Sequence, residues 1–375
     1  MRIGVPREVK ADENRVGLTP SSVRELTRHG HEIVMEHDCA YKIGLFNEDY
    51  IQAGARVSKS LDEIYDSEMI VKVKEPQPEE IRNLRKDQIL FTYLHLAPTP
   101  ALTNCLLRQG CTAIAYETVT DDQGRLPLLA PMSEVAGRMS VQAGAHSLEI
   151  AQGGRGTLLG GVPGTPPAAV TVLGGGVVGM NAARLALGMG ANVVILDINQ
   201  RRLAELDLTF GPALTTIFST EDAIHEYTMR ADLVIGAVLV PGSKTPNLVS
   251  EDMVRDMPAG SVLVDVAIDQ GGVFETSKAT THSHPTFVKH EVVHYCVANM
   301  PSAVARTSTF ALNNVTLPLI MSIAELGLAS AVTKNVHLRN GLNIVDGHVT
   351  HQAVAEASGR EYIPAEDFFP SRIAE

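Results

Sequence analysis

The chain has 375 residues, 45% hydrophobic and 20% charged, which is length and apolar content for two globular domains and argues against disorder. A formal net charge of −12 without a basic cluster excludes the counterion-releasing surface that binding to a nucleic-acid backbone requires. Met1 leads straight into an apolar strand with no basic n-region, and no apolar run is expected to reach membrane-spanning length. Cys39, Cys105, Cys111 and Cys296 lack C-x-x-C pairing, so reduced, mostly buried thiols and a cytoplasmic protein without a membrane partner are expected.

Arg2–Pro6 reads as an opening strand, followed by a polar loop from Arg7 to Gly17. Thr19 is placed to cap a helix with Pro20 at its first position and Gly30 closing it after His29. Strands are expected at Glu32–Glu36, Met69–Val73 and Gln88–Phe91, with Lys74 following the second and His95 the third. In an open α/β sheet the ligand crevice lies outside the carboxyl ends of the strands, which raises interest in these polar groups. Lys72 and Lys74 flank Val73 and share a side of the strand, so one is expected to be exposed, and one facing a cleft would be unusual enough to suggest a site. Glu134–Ala151 reads as a long helix joining two halves, with the domain change near Leu129–Pro131. Gly153 to Pro167 is too rich in glycine and proline for helix or strand, which suits a functional loop or a hinge.

The stretch Val170–Asp197 reads as one nucleotide-binding βαβ unit: an apolar strand, a turn through Gly174, Gly176 and Gly179, a helix ended by Gly188 and Gly190, and a second strand stopping at an acid. Gly174 permits the tight turn, Gly176 lets the backbone approach a pyrophosphate, and Gly179 lets helix and strand pack closely. Free N–H groups at the helix start attract the phosphates. Asp197 is placed to take the adenosine ribose, and a 2′-phosphate about 4 Å from its carboxylate would be repelled by about 4 kcal/mol at an effective dielectric near 20, which favours NAD over NADP. Arg201 and Arg202 follow as exposed residues of the next helix, the alternative holders of a 2′-phosphate.

Further on, a strand at Leu233–Gly236, a loop through Pro241 and Gly242, a helix capped by Ser250 and a strand at Ser261–Asp265 continue the βα pattern. A helical pattern from Ser308 to Val332 is interrupted by Pro318, Asp346-Gly347 suggests a hairpin turn, and Thr350 and Gly359 bracket a final short helix. His282, His284, His290 and His294 have no regular ligand spacing, and no metal site is expected. Arg15, His95 and Asp269 each have an ordinary reading too: a solvated loop charge, a hydrogen-bonded core histidine and a turn-stabilising acid.

A resemblance changes their standing. The segments Gly4-Val-Pro-Arg-Glu8 with Glu13-Asn-Arg15, Val71-Lys-Val-Lys74-Glu-Pro76, Leu94-His95-Leu96, Leu128 to Gly137, Asp265-Val-Ala-Ile-Asp269 and Tyr295-Cys-Val-Ala-Asn299-Met300-Pro301 resemble the alanine dehydrogenase family. That family also includes the NAD-binding part of proton-translocating transhydrogenases and, more distantly, lysine-forming saccharopine dehydrogenases. The likeness covers nearly the whole chain. It implies an α/β fold of two Rossmann-like domains, with an NAD-binding domain over 131–305 inserted into a discontinuous substrate domain of 1–130 and 306–375. It further implies that Arg15 and Lys74 hold the substrate's carboxylate and carbonyl region, that His95 and Asp269 carry acid/base chemistry, and that Ser133, Gly174, Gly176, Gly179, Asp197 and Asn299 bind NAD.

The implied reaction is reversible oxidative deamination of L-alanine to pyruvate and ammonium by a homo-hexamer. In it the α-carbon loses a hydride and the resulting iminium is attacked by water, steps that need an acid/base titrating near neutrality, as imidazole does. Because these residues come from both domains, closure of a cleft between them is expected. The alternatives are an NAD-binding transhydrogenase subunit, which needs no amino-acid pocket, and a non-catalytic NAD-binding sensor or scaffold.

Overall fold

In the computed structural model, which describes residues 1–238 and 245–369, the chain divides into two compact units, Met1–Pro131 with the chain from Val304 onward, and Met132–Ala303. Six strands open the chain: β1 (Arg2–Val5), β2 (Glu32–Glu36), β3 (Arg56–Ser58), β4 (Met69–Val71), β5 (Ile89–Thr92) and β6 (Thr112–Ala115). The second unit adds β7 (Ala169–Leu173), β8 (Asn192–Asp197), β9 (Leu214–Phe218), β10 (Leu233–Gly236), β11 (Val262–Asp265), β12 (Thr286–Lys289) and β13 (Val292–Tyr295). Then β14 (Leu342–Val345) and β15 (His348–Val349) return to the first sheet.

The first sheet runs β3-β2-β1-β4-β5-β6-β14-β15 and the second β9-β8-β7-β10-β11-β13-β12, parallel throughout except at β14, β15 and β12. Each sheet reverses its strand order once, between β1 and β4 and between β7 and β10. At such a switch point the neighbouring loops turn to opposite faces and leave a crevice at the strands' carboxyl ends.

Strands buried on both faces read as continuous apolar runs, as Met69-Ile-Val71 and Leu233-Val-Ile235 do. Their side chains alternate between layers. In the second unit Val172, Ile195, Ile235 and Val264 pack with Ala182, Ala183 and Ala186 of the helix Val177–Gly188, while Leu173, Leu196, Val234 and Leu263 pack on the other face with Phe274. Each such burial stabilises by roughly 1.5–3 kcal/mol. The first unit's core gathers Ile70, Leu90, Ala113 and Ile344.

Several elements differ from the sequence expectation. β4 stops at Val71, although Lys72 N–H still donates to the Phe91 carbonyl at 3.1 Å and Tyr93 N–H to that of Val73 at 3.3 Å. The linking helix runs Ala130–Ser147, with Pro131 in its first turn, where no amide hydrogen is needed. Pro318 does not break its helix: Ala305–Leu326 is continuous, with Leu312, Thr316, Ile320 and Ile323 buried on both sides of the proline, and the break falls at Gly327. With its lead-in, Met300–Leu326 is long and apolar enough to cross a membrane, which the sequence reading did not expect. One face of the Ala305–Leu326 stretch, with Ser308, Thr309, Asn313 and Thr316, is buried within the first unit. The helix Gln352–Ser358 is preceded by His351, not Thr350, whose hydroxyl donates to the Leu342 carbonyl at 2.9 Å, and a short helix Ala365–Phe368 follows it. The Asp346-Gly347 turn joins β14 to β15 with both residues at positive φ. The loop expected through Pro241 and Gly242 lies outside the described residues.

Candidate functional site

In the first unit the chemistry collects at the switch point. The loop Arg7–Gly17 leaves β1 and lies against the end of β4, where a Cβ on Gly17 would be 2.6 Å from the Val71 carbonyl oxygen. The helix Ala305–Leu326 fixes it: Val16 N–H donates to Thr309 Oγ1 at 3.3 Å, and Asn313 Nδ2 donates to the Gly17 carbonyl at 3.0 Å. Arg15 is therefore 2% exposed, not a solvated loop charge. Its guanidinium is held by Glu13, with Nη2 to Oε2 at 2.5 Å and Nε to Oε1 at 2.7 Å.

The two lysines around Val73 part company. Lys72 is 1% exposed, and its Nζ stands 3.2 Å from Glu8 and 2.6 Å from Glu80. Burial alone would lower its pKa; the two carboxylates reverse that and raise it. The expectation that one lysine is exposed fails because Glu8 and Glu80 supply buried counter-charges. Glu8 also accepts from Val73 N–H at 2.7 Å and from Lys74 N–H at 3.3 Å, which sets the direction of Lys74. Lys74 itself is half-buried, and among the described residues its ammonium has no hydrogen-bond or ion-pair partner. Burial, then the neighbouring Arg15 charge, push its pKa down. The Glu75 and Glu13 carboxylates oppose this from further off, and two adjacent cations, one of them without a contact ion pair among the described residues, form a seat for an anion or a polarisable oxygen.

His95 follows β5 with φ +48°, a region non-glycine residues seldom occupy. Leu94 and Leu96 are buried while the His95 side chain is 42% exposed, so the core-histidine reading does not hold. Its ring stacks on Tyr93 at 6.0 Å, and Tyr93 packs edge-on against the buried Tyr116 at 5.0 Å. Burial of the rest of the ring pushes the imidazole below its usual range; the Glu117 carboxylate opposes this and the Lys74 ammonium adds to it.

In the second unit Gly174 takes φ +99°, and a Cβ on Gly179 would collide with the Gly174 carbonyl oxygen. Among the described residues a Cβ on Gly176 would meet nothing within 4 Å, and Gly176 starts the helix Val177–Gly188 without a side-chain cap, which leaves its first N–H groups for a phosphate. Asp197 accepts from Gly175 N–H at 2.6 Å and Asn199 N–H at 2.8 Å. A cavity of about 400 Å³ opens beside Gly176, Asp197, Asn199, Arg201, Arg202 and Glu205. These features fit a dinucleotide. Arg201 is exposed as expected, but Arg202 is not: its Nε donates to the Gly175 carbonyl at 2.6 Å and its Nη1 pairs with Glu205 at 2.9 Å, so it braces the glycine turn.

Asp269 and Asn299 are brought together, Asn299 N–H donating to Asp269 Oδ2 at 3.4 Å with Asn299 at φ +56°. Ser133 stands, partly exposed, in the first turn of Ala130–Ser147. The loop carrying Asp269 is tied by a residue that sequence reasoning passed over. Asp265, fully buried, accepts from Val273 N–H at 2.9 Å, Ala267 N–H at 3.1 Å and the Ser277 hydroxyl. Glu8, Glu13, Tyr93 and Glu117 were missed likewise. Glu8 and Glu13 lay in the quoted family segments, whereas Glu117 stands far from His95 in sequence and gave no signal. Three of the four histidines have ring partners: His294 with Thr276 and the Val292 carbonyl, His290 with Glu251 and His282 with Ser302.

Residues 4–136 match the family model described as "Alanine dehydrogenase/PNT, N-terminal domain" and residues 140–352 the corresponding C-terminal domain. The chain is 57% identical to an alanine dehydrogenase of Halomonas elongata over 97% of its length and 99% of the relative's. It is 53% identical to the alanine dehydrogenase of Bacillus subtilis, with 98% and 97% covered. A solved L-alanine dehydrogenase superposes with a TM-score of 0.93 at 51% identity, covering 95% of this chain and 99% of that one. A transhydrogenase from Sinorhizobium meliloti shares the fold at a TM-score of 0.83 and 21% identity, covering 93% and 100%. With both domain models matched and relatives this similar end to end, the chain belongs to the alanine dehydrogenase/PNT family.

Proposed function

We propose that the protein catalyses the reversible, NAD-dependent oxidative deamination of L-alanine to pyruvate and ammonium. The observation that carries the reading is the half-buried Lys74 ammonium, which makes no hydrogen bond or contact ion pair among the described residues, beside the Arg15 guanidinium at the switch point of the first sheet. Arg15 and Lys74 take the carboxylate and the carbonyl oxygen of pyruvate, Arg15 as a planar fork and Lys74 as a point charge that stabilises negative charge developing on that oxygen. His95, next to Lys74, accepts the proton as water attacks the iminium, and Asp269 shares the proton traffic. Gly174, Gly176, Gly179 and Asp197 hold the dinucleotide, with Ser133 and Asn299 completing its contacts; bound NAD supplies the hydride acceptor.

A transhydrogenase subunit is the second reading. The likeness to that group reaches only 21% identity, against 51–57% for the alanine dehydrogenases above, and it gives the Arg15–Lys74 pair no amino-acid substrate. The active form is proposed to be a cytoplasmic homo-hexamer with no nucleic-acid or membrane partner, to be checked by light scattering. NADH formation from L-alanine followed at its absorbance tests the reaction. A purified, NADH-binding protein that forms no NADH from L-alanine would return the reading to a transhydrogenase subunit or a sensor.

A further inference from the structure

Glu117 lies in the short 3₁₀ turn Tyr116–Thr118 that leaves β6, the strand beside β5. Its Oε1 accepts from His95 N–H at 2.6 Å and from Leu94 N–H at 3.2 Å, and Oε2 is also 3.2 Å from Leu94 N–H. Two successive amides aimed at one carboxylate form an anion-binding nest, and the second of them belongs to His95, whose own φ is positive. The same Oε1 stands 3.9 Å from His95 Nδ1.

The turn has little freedom to move. Tyr116 is buried edge-on against Phe91 at 4.5 Å, and Asn343 Nδ2 donates to Thr118 Oγ1 at 2.7 Å. His351 faces the same carboxylate from the segment after β15, and among the described residues its buried Nδ1 has no hydrogen-bond partner. Around His95 the other charged groups of this unit are Lys74, Glu75 and Lys10, with Tyr93 stacked beneath the ring.

We propose that Glu117 is a positioning residue for His95: it fixes the strained backbone that presents the imidazole, and its negative charge favours the imidazolium that His95 becomes when it takes the proton. The proposal rests on the reading of His95 as the acid/base. A neutral acceptor would suffice for the backbone role alone, so charge and geometry can be separated. Glu117→Gln keeps an oxygen for the two amides and removes the charge.

The test is the pH profile of kcat/KM for L-alanine oxidation, with NADH binding measured alongside. Oxidation needs the unprotonated base, so the rate falls on the acid side as His95 protonates. Without the Glu117 charge the imidazole is less basic, and the acid limb is expected to move down by about one pH unit with NADH affinity unchanged. A limb that stays at the wild-type pH, whatever the loss of rate, overturns the proposal and leaves Glu117 a structural residue. If Glu117→Gln does not fold, Glu117→Asp draws the charge one methylene away: a smaller shift in the same direction supports the proposal and an unmoved limb overturns it. Failure of the parent reading looks different, since His95→Ala would then keep its activity.

Discussion

In the proposed reaction the role of Lys74 follows from its surroundings. Lys72, two residues earlier, is neutralised by Glu8 and Glu80, while Lys74 faces Arg15 without a contact ion pair among the described residues, and burial with the Arg15 charge lowers its pKa. Lys74→Met should lower kcat for alanine oxidation and pyruvate amination by about 10²- to 10³-fold, the scale of one lost charge-stabilising donor, and leave NADH affinity near the wild-type value. Steady-state kinetics beside NADH fluorescence titration would measure both, and a parallel loss of NADH binding would make Lys74 a structural residue. His294 illustrates the opposite use of a titratable group. Its Nδ1 donates to the Val292 carbonyl at 2.9 Å and its Nε2 accepts from the Thr276 hydroxyl at 2.7 Å, a neutral ring in a buried site. Burial, against that Val292 bond, pushes its pKa down to about 4. A histidine depressed in the folded state stabilises fully above the unfolded pKa near 6.5, and that stability is lost as pH falls from there towards 4. The total is about 3 kcal/mol. Urea midpoints from pH 7.5 to 4 should therefore fall in the wild type and stay flatter in His294→Gln; equal slopes would place the acid sensitivity elsewhere.

At the scale of elements, the helix Ala305–Leu326 is the part that shapes the proposed substrate end of the first unit. Asn313 Oδ1 accepts from Thr19 N–H at 2.8 Å and Ser22 Oγ at 2.9 Å, while its Nδ2 serves the Gly17 carbonyl, so one side chain anchors both the Arg15 loop and the cap of the helix Pro20–Arg28. Asn313→Ala leaves those backbone groups buried and unpaired and should cost about 2–5 kcal/mol of stability, with a larger rise in KM for alanine than in the NADH dissociation constant. The reverse ranking would sink that assignment. The glycine turn and its two strands were legible in the sequence, because each glycine there answers a local demand: a positive φ at Gly174 and a close approach at Gly179. The helix through Pro318 was not, since packing on both of its ends outweighs the proline's local preference. Nor was Glu117, whose meeting with His95 depends on β5 lying beside β6.

The whole molecule carries the same doubly wound order twice, β1–β6 in one unit and β7–β11 with β13 in the other, and the candidate groups sit at the switch point of each. Each unit has a core of its own, so ligands specific to one should stabilise that one first. NADH at 100 times its dissociation constant stabilises the state that binds it by about 2.7 kcal/mol. Hydrogen exchange with and without NADH should accordingly show the largest protection in the second unit, from β7 through the helix Val177–Gly188 to β8. Asp197→Ala should reduce that protection at fixed NADH concentration, because the ribose loses its hydrogen-bond acceptor and the Gly175 amide loses the partner that holds the turn. Protection centred instead on the loop Arg7–Gly17 would assign the cofactor to the first unit and remove the division of labour on which the proposed reaction depends.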